Sequence, residues 1–142
     1  MLCTVFEITE LGYNLIMNNA ELLKEGRDHL LKLHKLLLDH ERAMFEVING
    51  PTTPGQFLSL LLDDRDFAWL RRFSTLIVDI DEMFAQKDGY SPELVEIHIE
   101  KLRSLILMEG EDEEFKSKYQ AALQKDIEAA SRHGDLRSLL FK

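Results

Sequence analysis

Apolar residues recur along this chain at the spacing of an α-helix, and no segment shows the sustained alternation typical of a half-buried β-strand. The clearest case is the stretch near 18–48, which carries two repeating positions, each seven residues apart. One position holds Leu23, Leu30, Leu37 and Met44, and the other holds Gly26, Leu33, His40 and Val47. Because this repeat is typical of helices that pack along a seam, it predicts an all-α fold.

Local signals indicate where the helices begin and end. Asn18, the pair Thr53-Pro54 and the pair Ser91-Pro92 have the residue types of helix starts. The predicted stops are glycines, at Gly50, Gly89, Gly110 and Gly134. These signals predict four main helices, near 18–48, 54–86, 92–109 and 112–132, followed by a short C-terminal helix that begins at Asp135.

The short predicted connections favour an up-and-down antiparallel bundle with a long first hairpin, forming a single domain over residues 1–142. Two points stay open. The clustered acids Asp63, Asp64 and Asp66 can break the second helix into two. Residues 2–17 fit a helix, although a strand or a fold-back arm also fits this segment.

The formal net charge of -9 comes from 26 acidic and 17 basic residues, so the chain as a whole repels a phosphate backbone. We therefore expect no nucleic-acid partner. The single cysteine, Cys3, cannot form an internal disulfide, which is typical of a reducing compartment. No apolar run approaches the roughly 20 residues of a membrane span. The sequence predicts a cytoplasmic protein without a membrane segment.

Histidines and carboxylates are numerous, but their spacing does not match the motif of di-iron bundles. The Glu-x-x-His pattern of di-iron bundles is absent at His29, His34, His40 and His98. We therefore predict no metal or cofactor and assign no catalytic residue. His40 and His98 both fall on seam positions, where they either meet between helices or are buried separately with hydrogen-bonded neighbours.

Two alternatives to a purely structural bundle remain open. Asp79 with Glu82, and Glu93 with Glu96, have the i,i+3 spacing with which all-α nucleotide pyrophosphohydrolases hold magnesium, although a solvated helix face also explains the first pair. This alternative is a metal-dependent hydrolase. The other is a small-ligand pocket inside the bundle, formed by Phe73, His98 and Leu102.

The surplus of apolar surface favours an interaction module over an enzyme. Leu31 and Leu38 form a second stripe on the first helix, making its apolar arc wider than one neighbouring helix needs. Trp69, Arg72 and Phe73 are of the types that dominate binding interfaces, or else ordinary core. We therefore expect a homodimer or a complex with a protein partner.

Three polar residues recur every seven positions inside the same arc: Arg27, His34 and Glu41. Polar residues in such a seam can set the register between two chains, whereas at the edge of the arc they simply face solvent.

The run from Phe67 to Glu82, FAWLRRFSTLIVDIDE, resembles a segment of small helical bacterial proteins of unassigned function. The resemblance covers these residues alone. It implies an all-α fold and a bacterial origin, and it carries no functional residue across.

Overall fold

The computed structural model describes the backbone of residues 2–141 and the side chains of residues 18–141. Within that part of the chain there are six α-helices, one short 3-10 helix and no β-strand, so the all-α prediction is confirmed. The α-helices are α1 (Leu2–Asn49), α2 (Pro54–Asp63), α3 (Arg71–Phe84), α4 (Pro92–Ile106), α5 (Glu113–Lys125) and α6 (Ile127–Leu140). The 3-10 helix, Arg65–Leu70, joins α2 to α3.

Helix α1 is the longest element, with 48 residues, which corresponds to roughly 70 Å at about 1.5 Å per residue. The predicted helix start at Asn18 is wrong, because α1 continues through it from Leu2. The predicted seam is confirmed as far as Leu37, since Leu23, Leu30, Leu33 and Leu37 have no exposed surface. The side chain of Cys3 lies outside the described residues.

The second predicted helix, near 54–86, is divided at Asp64. The Asp64 backbone is extended, and its carboxylate accepts a hydrogen bond of 2.8 Å from the amide of Asp66, which starts the 3-10 helix. The predicted helix start at Thr53 is confirmed, because Thr53 and Gln56 exchange side-chain to backbone hydrogen bonds in a capping box. The acidic cluster therefore acts as a helix boundary.

The prediction of one helix near 112–132 that stops at Gly134 is wrong. Helix α5 ends at Lys125, and the carboxylate of Asp126 caps α6 by accepting a hydrogen bond of 3.1 Å from the amide of Ala129. Helix α6 then runs through Gly134, because the buried side chains of Leu136 and Leu140 hold its last turns against the core. Residues 2–141 thus form six α-helices instead of four main helices with a short C-terminal addition.

The core lies along the described part of α1, which packs against α3, α4 and α6. Helix α4 comes close to α1 at Gly26, where an added Cβ would lie 2.7 Å from Leu102 Cδ2. A second part of the core is aromatic, with Trp69, Phe73, Phe115 and Tyr119 in mutual contact. Among the described residues, no helix has the length and apolar composition needed to cross a membrane.

Candidate interaction surface

Trp69 and Phe73, predicted as possible interface residues, are core residues in the structure. Their side chains are only 4% and 0% exposed, because the 3-10 helix and α3 turn both towards Tyr119. Arg72 is half-buried, and its guanidinium carbon lies 4.1 Å from the centroid of the Phe115 ring. These three residues therefore stabilise the chain itself.

The second apolar stripe of α1 is only partly covered. Leu31 is 42% exposed, whereas Leu38 is half-buried against the core. The side chain next along this stripe, Phe45, packs edge to face on Phe67 at 6.0 Å. Most of the extra width of the apolar arc is thus used within the chain.

Two of the three polar residues that recur along α1 make contacts inside the chain, and the third is half-buried. Arg27 donates two hydrogen bonds of 2.8 Å to the carboxylate of Asp81 on α3. His34 stacks on Phe73, with ring centroids 6.2 Å apart, and burial lowers the pKa of its imidazole. Burial raises the pKa of the half-buried Glu41 carboxyl. Arg27 and His34 therefore have partners within the same chain.

His40 and His98 do not form a shared site. The Nδ1 atom of His40 lies 3.8 Å from the carboxylate of Asp126, whereas that of His98 lies 2.8 Å from the carbonyl oxygen of Leu94. The residues of the predicted ligand pocket, Phe73, His98 and Leu102, are all buried in the core, with His98 6% exposed and the other two fully covered.

A buried polar pair was missed in the sequence analysis. The hydroxyl of Tyr119 on α5 lies 2.7 Å from Nδ1 of His133 on α6. Burial raises the pKa of Tyr119, and burial with the nearby positive charge of Arg137 lowers the pKa of His133. A neutral His133 whose Nδ1 accepts a hydrogen bond from the Tyr119 hydroxyl fits both directions. The spacing of residues along the sequence does not predict a contact between side chains of two different helices.

Among the described side chains of α1, from residue 18 onwards, the most exposed apolar ones are at its C-terminal end. Met44, Val47 and Ile48 are 44%, 84% and 82% exposed, and we call these three residues the α1 tip. Met44 and Val47 occupy the two heptad positions that are buried earlier in the helix. The seam therefore continues beyond the surface that the bundle covers.

The last part of the seam is exposed because α6 begins beside His40 and does not extend over the residues of α1 that follow. The first turn of α6 lies beside His40, as the contact between His40 and Asp126 shows, and α1 runs on for more than two further turns. Two further large apolar side chains are exposed on α2, the helix that follows α1 in the chain, namely Leu58 (56%) and Leu62 (61%). Together with the α1 tip these make five of the eleven large apolar side chains that are exposed among the described residues. Much of the exposed apolar surface thus lies on the last turns of α1 and on α2.

A groove of about 810 Å³ runs between α3 and α4. Its apolar lining residues are Leu76, Ile97 and Leu105, and its carboxylates are those of Asp79, Glu93, Glu96 and Glu100. Glu82, which the hydrolase alternative paired with Asp79, is not among the lining residues. Within the described side chains, no three His, Cys, Asp or Glu residues are grouped so that they could hold a metal ion.

Comparisons with protein-family models, curated proteins and solved structures found no match for this chain. Its function is therefore inferred from its own geometry.

Proposed function

We propose that this chain is a non-enzymatic helical interaction module that associates with a second copy through the α1 tip. The observation that supports this proposal is the exposure of Met44, Val47 and Ile48 at positions that continue a buried seam. Leaving this apolar surface in water has a cost of about 25 cal/mol for each Å². A second helix laid along the seam removes that cost.

A second copy suits this surface because none of the three residues of the α1 tip is charged. The charged neighbours Arg42 and Glu46 lie 3.4 Å apart, and both also bond to the backbone of Thr52. Two chains that each carry a net charge of -9 repel each other over most of their surfaces. In a symmetric dimer the same patch faces itself, so a neutral patch avoids placing like charges opposite each other.

The exposed apolar area beyond the α1 tip is also consistent with a dimer. A stable interface covers about 800 Å² on each partner, which is more than three side chains supply. Leu58 and Leu62 on α2, the helix that follows α1 in the chain, add exposed apolar area. We propose that these two residues flank the contact between two α1 tips.

Light scattering coupled to size-exclusion chromatography tests the proposal. We expect the wild-type chain to have twice its monomer mass of 16.5 kDa. The variant Val47→Ser/Ile48→Ser should be a monomer with unchanged helical circular dichroism. A matched control is Val78→Ser/Ile97→Ser, which replaces the same residue types at half-exposed positions of α3 and α4 and should remain a dimer.

A disulfide trap tests the location of the contact separately. In a Cys3→Ser background, Met44→Cys should form a covalent dimer on mild oxidation, because the proposed contact places the two copies of the α1 tip against each other. Val78→Cys in the same background should not. A wild-type monomer at all concentrations, or equal loss of the dimer in the matched control, overturns the proposal.

A further inference from the structure

We infer that the groove between α3 and α4 is a docking site for an amphipathic helix of a partner protein whose polar flank is basic. This surface is distinct from the α1 tip, and the inference does not depend on self-association. It depends on the shape of the groove, on its apolar lining and on its charge.

The groove has a continuous apolar lining between its polar edges. Leu76 and Leu105 are 7% and 3% exposed and form its buried base, whereas Ile97 is 50% exposed. In helix-in-groove recognition an amphipathic helix lays its apolar face into an apolar groove, and these three side chains supply such a surface. An incoming leucine or phenylalanine would cover Ile97.

Negative charge predominates along the groove, with four carboxylates against the two cations Arg72 and Lys101. Asp79, Glu93 and Glu96 form no ion pair with any described side chain. Glu100, in contrast, lies 2.6 Å from Arg103. Three carboxylates are thus free for cationic groups of a partner.

The spacing of these groups fits a helix better than a small molecule. Glu93, Ile97 and Lys101 form one row of α4 at i,i+4 spacing, and Glu96, Glu100 and Ser104 form the next row. From residue 93 to residue 104 the lining extends for roughly 16 Å at about 1.5 Å per residue. An open groove of this length matches about three turns of a third helix packed against α3 and α4.

Fluorescence anisotropy with a labelled synthetic helix tests the inference. The probe is a peptide of about 14 residues, or roughly 21 Å of helix, with leucines at helical spacing and lysines elsewhere. A second peptide carries glutamate in place of each lysine. A third peptide has the same composition as the first, but its residues are rearranged so that the leucines have no helical spacing. We expect the first peptide to bind, the second not to bind, and the third to bind on the order of tenfold more weakly.

Two pairs of variants locate the binding. Glu93→Gln/Glu96→Gln should weaken binding by about fivefold and reduce its salt dependence, whereas Glu25→Gln/Asp135→Asn removes the same charge from exposed positions outside the groove and should not. Ile97→Ser should weaken binding, whereas Val78→Ser should not.

Equal binding of the ordered and disordered lysine peptides, or equal losses in the groove variants and their controls, overturns the inference. The monomeric variant Val47→Ser/Ile48→Ser should bind the peptide as the wild type does. Failure of the dimer proposal and failure of the groove proposal are therefore separately measurable.

Discussion

The guanidinium of Arg27 on α1 is held by both carboxylate oxygens of Asp81 on α3, with Nε and Nη2 each 2.8 Å from one oxygen. The side chains are 27% and 48% exposed, so water screens the pair. Its paired geometry nevertheless fixes the angle at which α3 meets α1. Asp81 also raises the pKa of Arg27, chiefly through the hydrogen bond.

Asp81→Asn should lower the free energy of unfolding by about 0.5 to 1 kcal/mol, because an exposed but bidentate ion pair contributes at the upper end of the surface range. Urea unfolding followed by circular dichroism measures the change. The control Asp88→Asn alters an exposed carboxylate that has no ion-pair partner among the described side chains. Equal losses in both variants would contradict the expectation.

Periodicity and capping residues predict much of this fold because both are local. The repeat from Leu23 to Leu37 identifies a buried face, and Thr53 and Ser91 cap helices as their types predict. Gly134 fails as a stop because burial of neighbouring side chains in α6 outweighs the weak helix propensity of one glycine. Tertiary packing, which a local signal does not contain, decides such positions.

The candidate surfaces were harder to predict for the same reason. The repeat does identify Met44 and Val47 as apolar seam positions, but their exposure depends on where α6 begins. Trp69 and Phe73 have the composition of an interface and are nevertheless core residues. Composition alone does not separate these two cases, because both kinds of environment favour large aromatic side chains.

Two glycines should respond in opposite directions to substitution by alanine. At Gly134 nothing lies within 4 Å of an added Cβ, so Gly134→Ala should raise the free energy of unfolding by about 0.5 to 1 kcal/mol through helix propensity. At Gly26 the new Cβ would lie 2.7 Å from the fully buried Leu102. Overpacking costs about 1 to 3 kcal/mol, so Gly26→Ala should lower stability despite its better propensity.

Thermal and urea unfolding of both glycine variants under one set of conditions measures this difference. A net gain from Gly26→Ala would show that Leu102 can move aside freely. Because Leu102 has no exposed surface, we expect the loss instead.

Stability should decrease as the pH falls below about 6.5, the ordinary pKa of histidine. Burial lowers the pKa of both His34 and His133 in the folded chain. As the pH falls, the unfolded chain therefore takes up protons before the folded chain does, and this proton binding stabilises the unfolded state. The free energy of unfolding is therefore undiminished above pH 6.5 and decreases as the pH falls towards the lower pKa values of the folded chain. His133→Gln keeps an acceptor for Tyr119, does not titrate and should flatten the dependence.

Unfolding free energies measured from pH 7.5 to about 5 test the histidine effect. His34→Gln should also flatten the curve, and the double variant should flatten it further. Identical slopes in the wild type and the double variant would contradict the assignment.

Glu41→Gln should stabilise the chain at neutral pH. Burial raises the pKa of Glu41, and the charges of His40, Lys118 and Lys125 only partly offset this effect. Above pH 4.5, the ordinary pKa of this carboxyl, the unfolded chain releases the Glu41 proton more readily than the folded chain does. The free energy of unfolding therefore decreases as the pH rises. Urea unfolding at pH 7 and at pH 4 should show a gain for the variant at the higher pH and none below 4.5.

Self-association through the α1 tip should strengthen with added salt. Each copy carries a net charge of -9, whereas the proposed contact of Met44, Val47 and Ile48 contains no ion pair that salt would weaken. The Debye length falls from about 10 Å at 0.1 M salt to about 3 Å at 1 M, so screening removes repulsion without removing attraction. Sedimentation equilibrium in this range should show a decreasing dimer dissociation constant. The variant Glu25→Gln/Asp135→Asn, with less charge to repel, should dimerise more tightly at low salt and match the wild type at high salt. A dissociation constant that rises with salt would instead indicate an interface held by ion pairs.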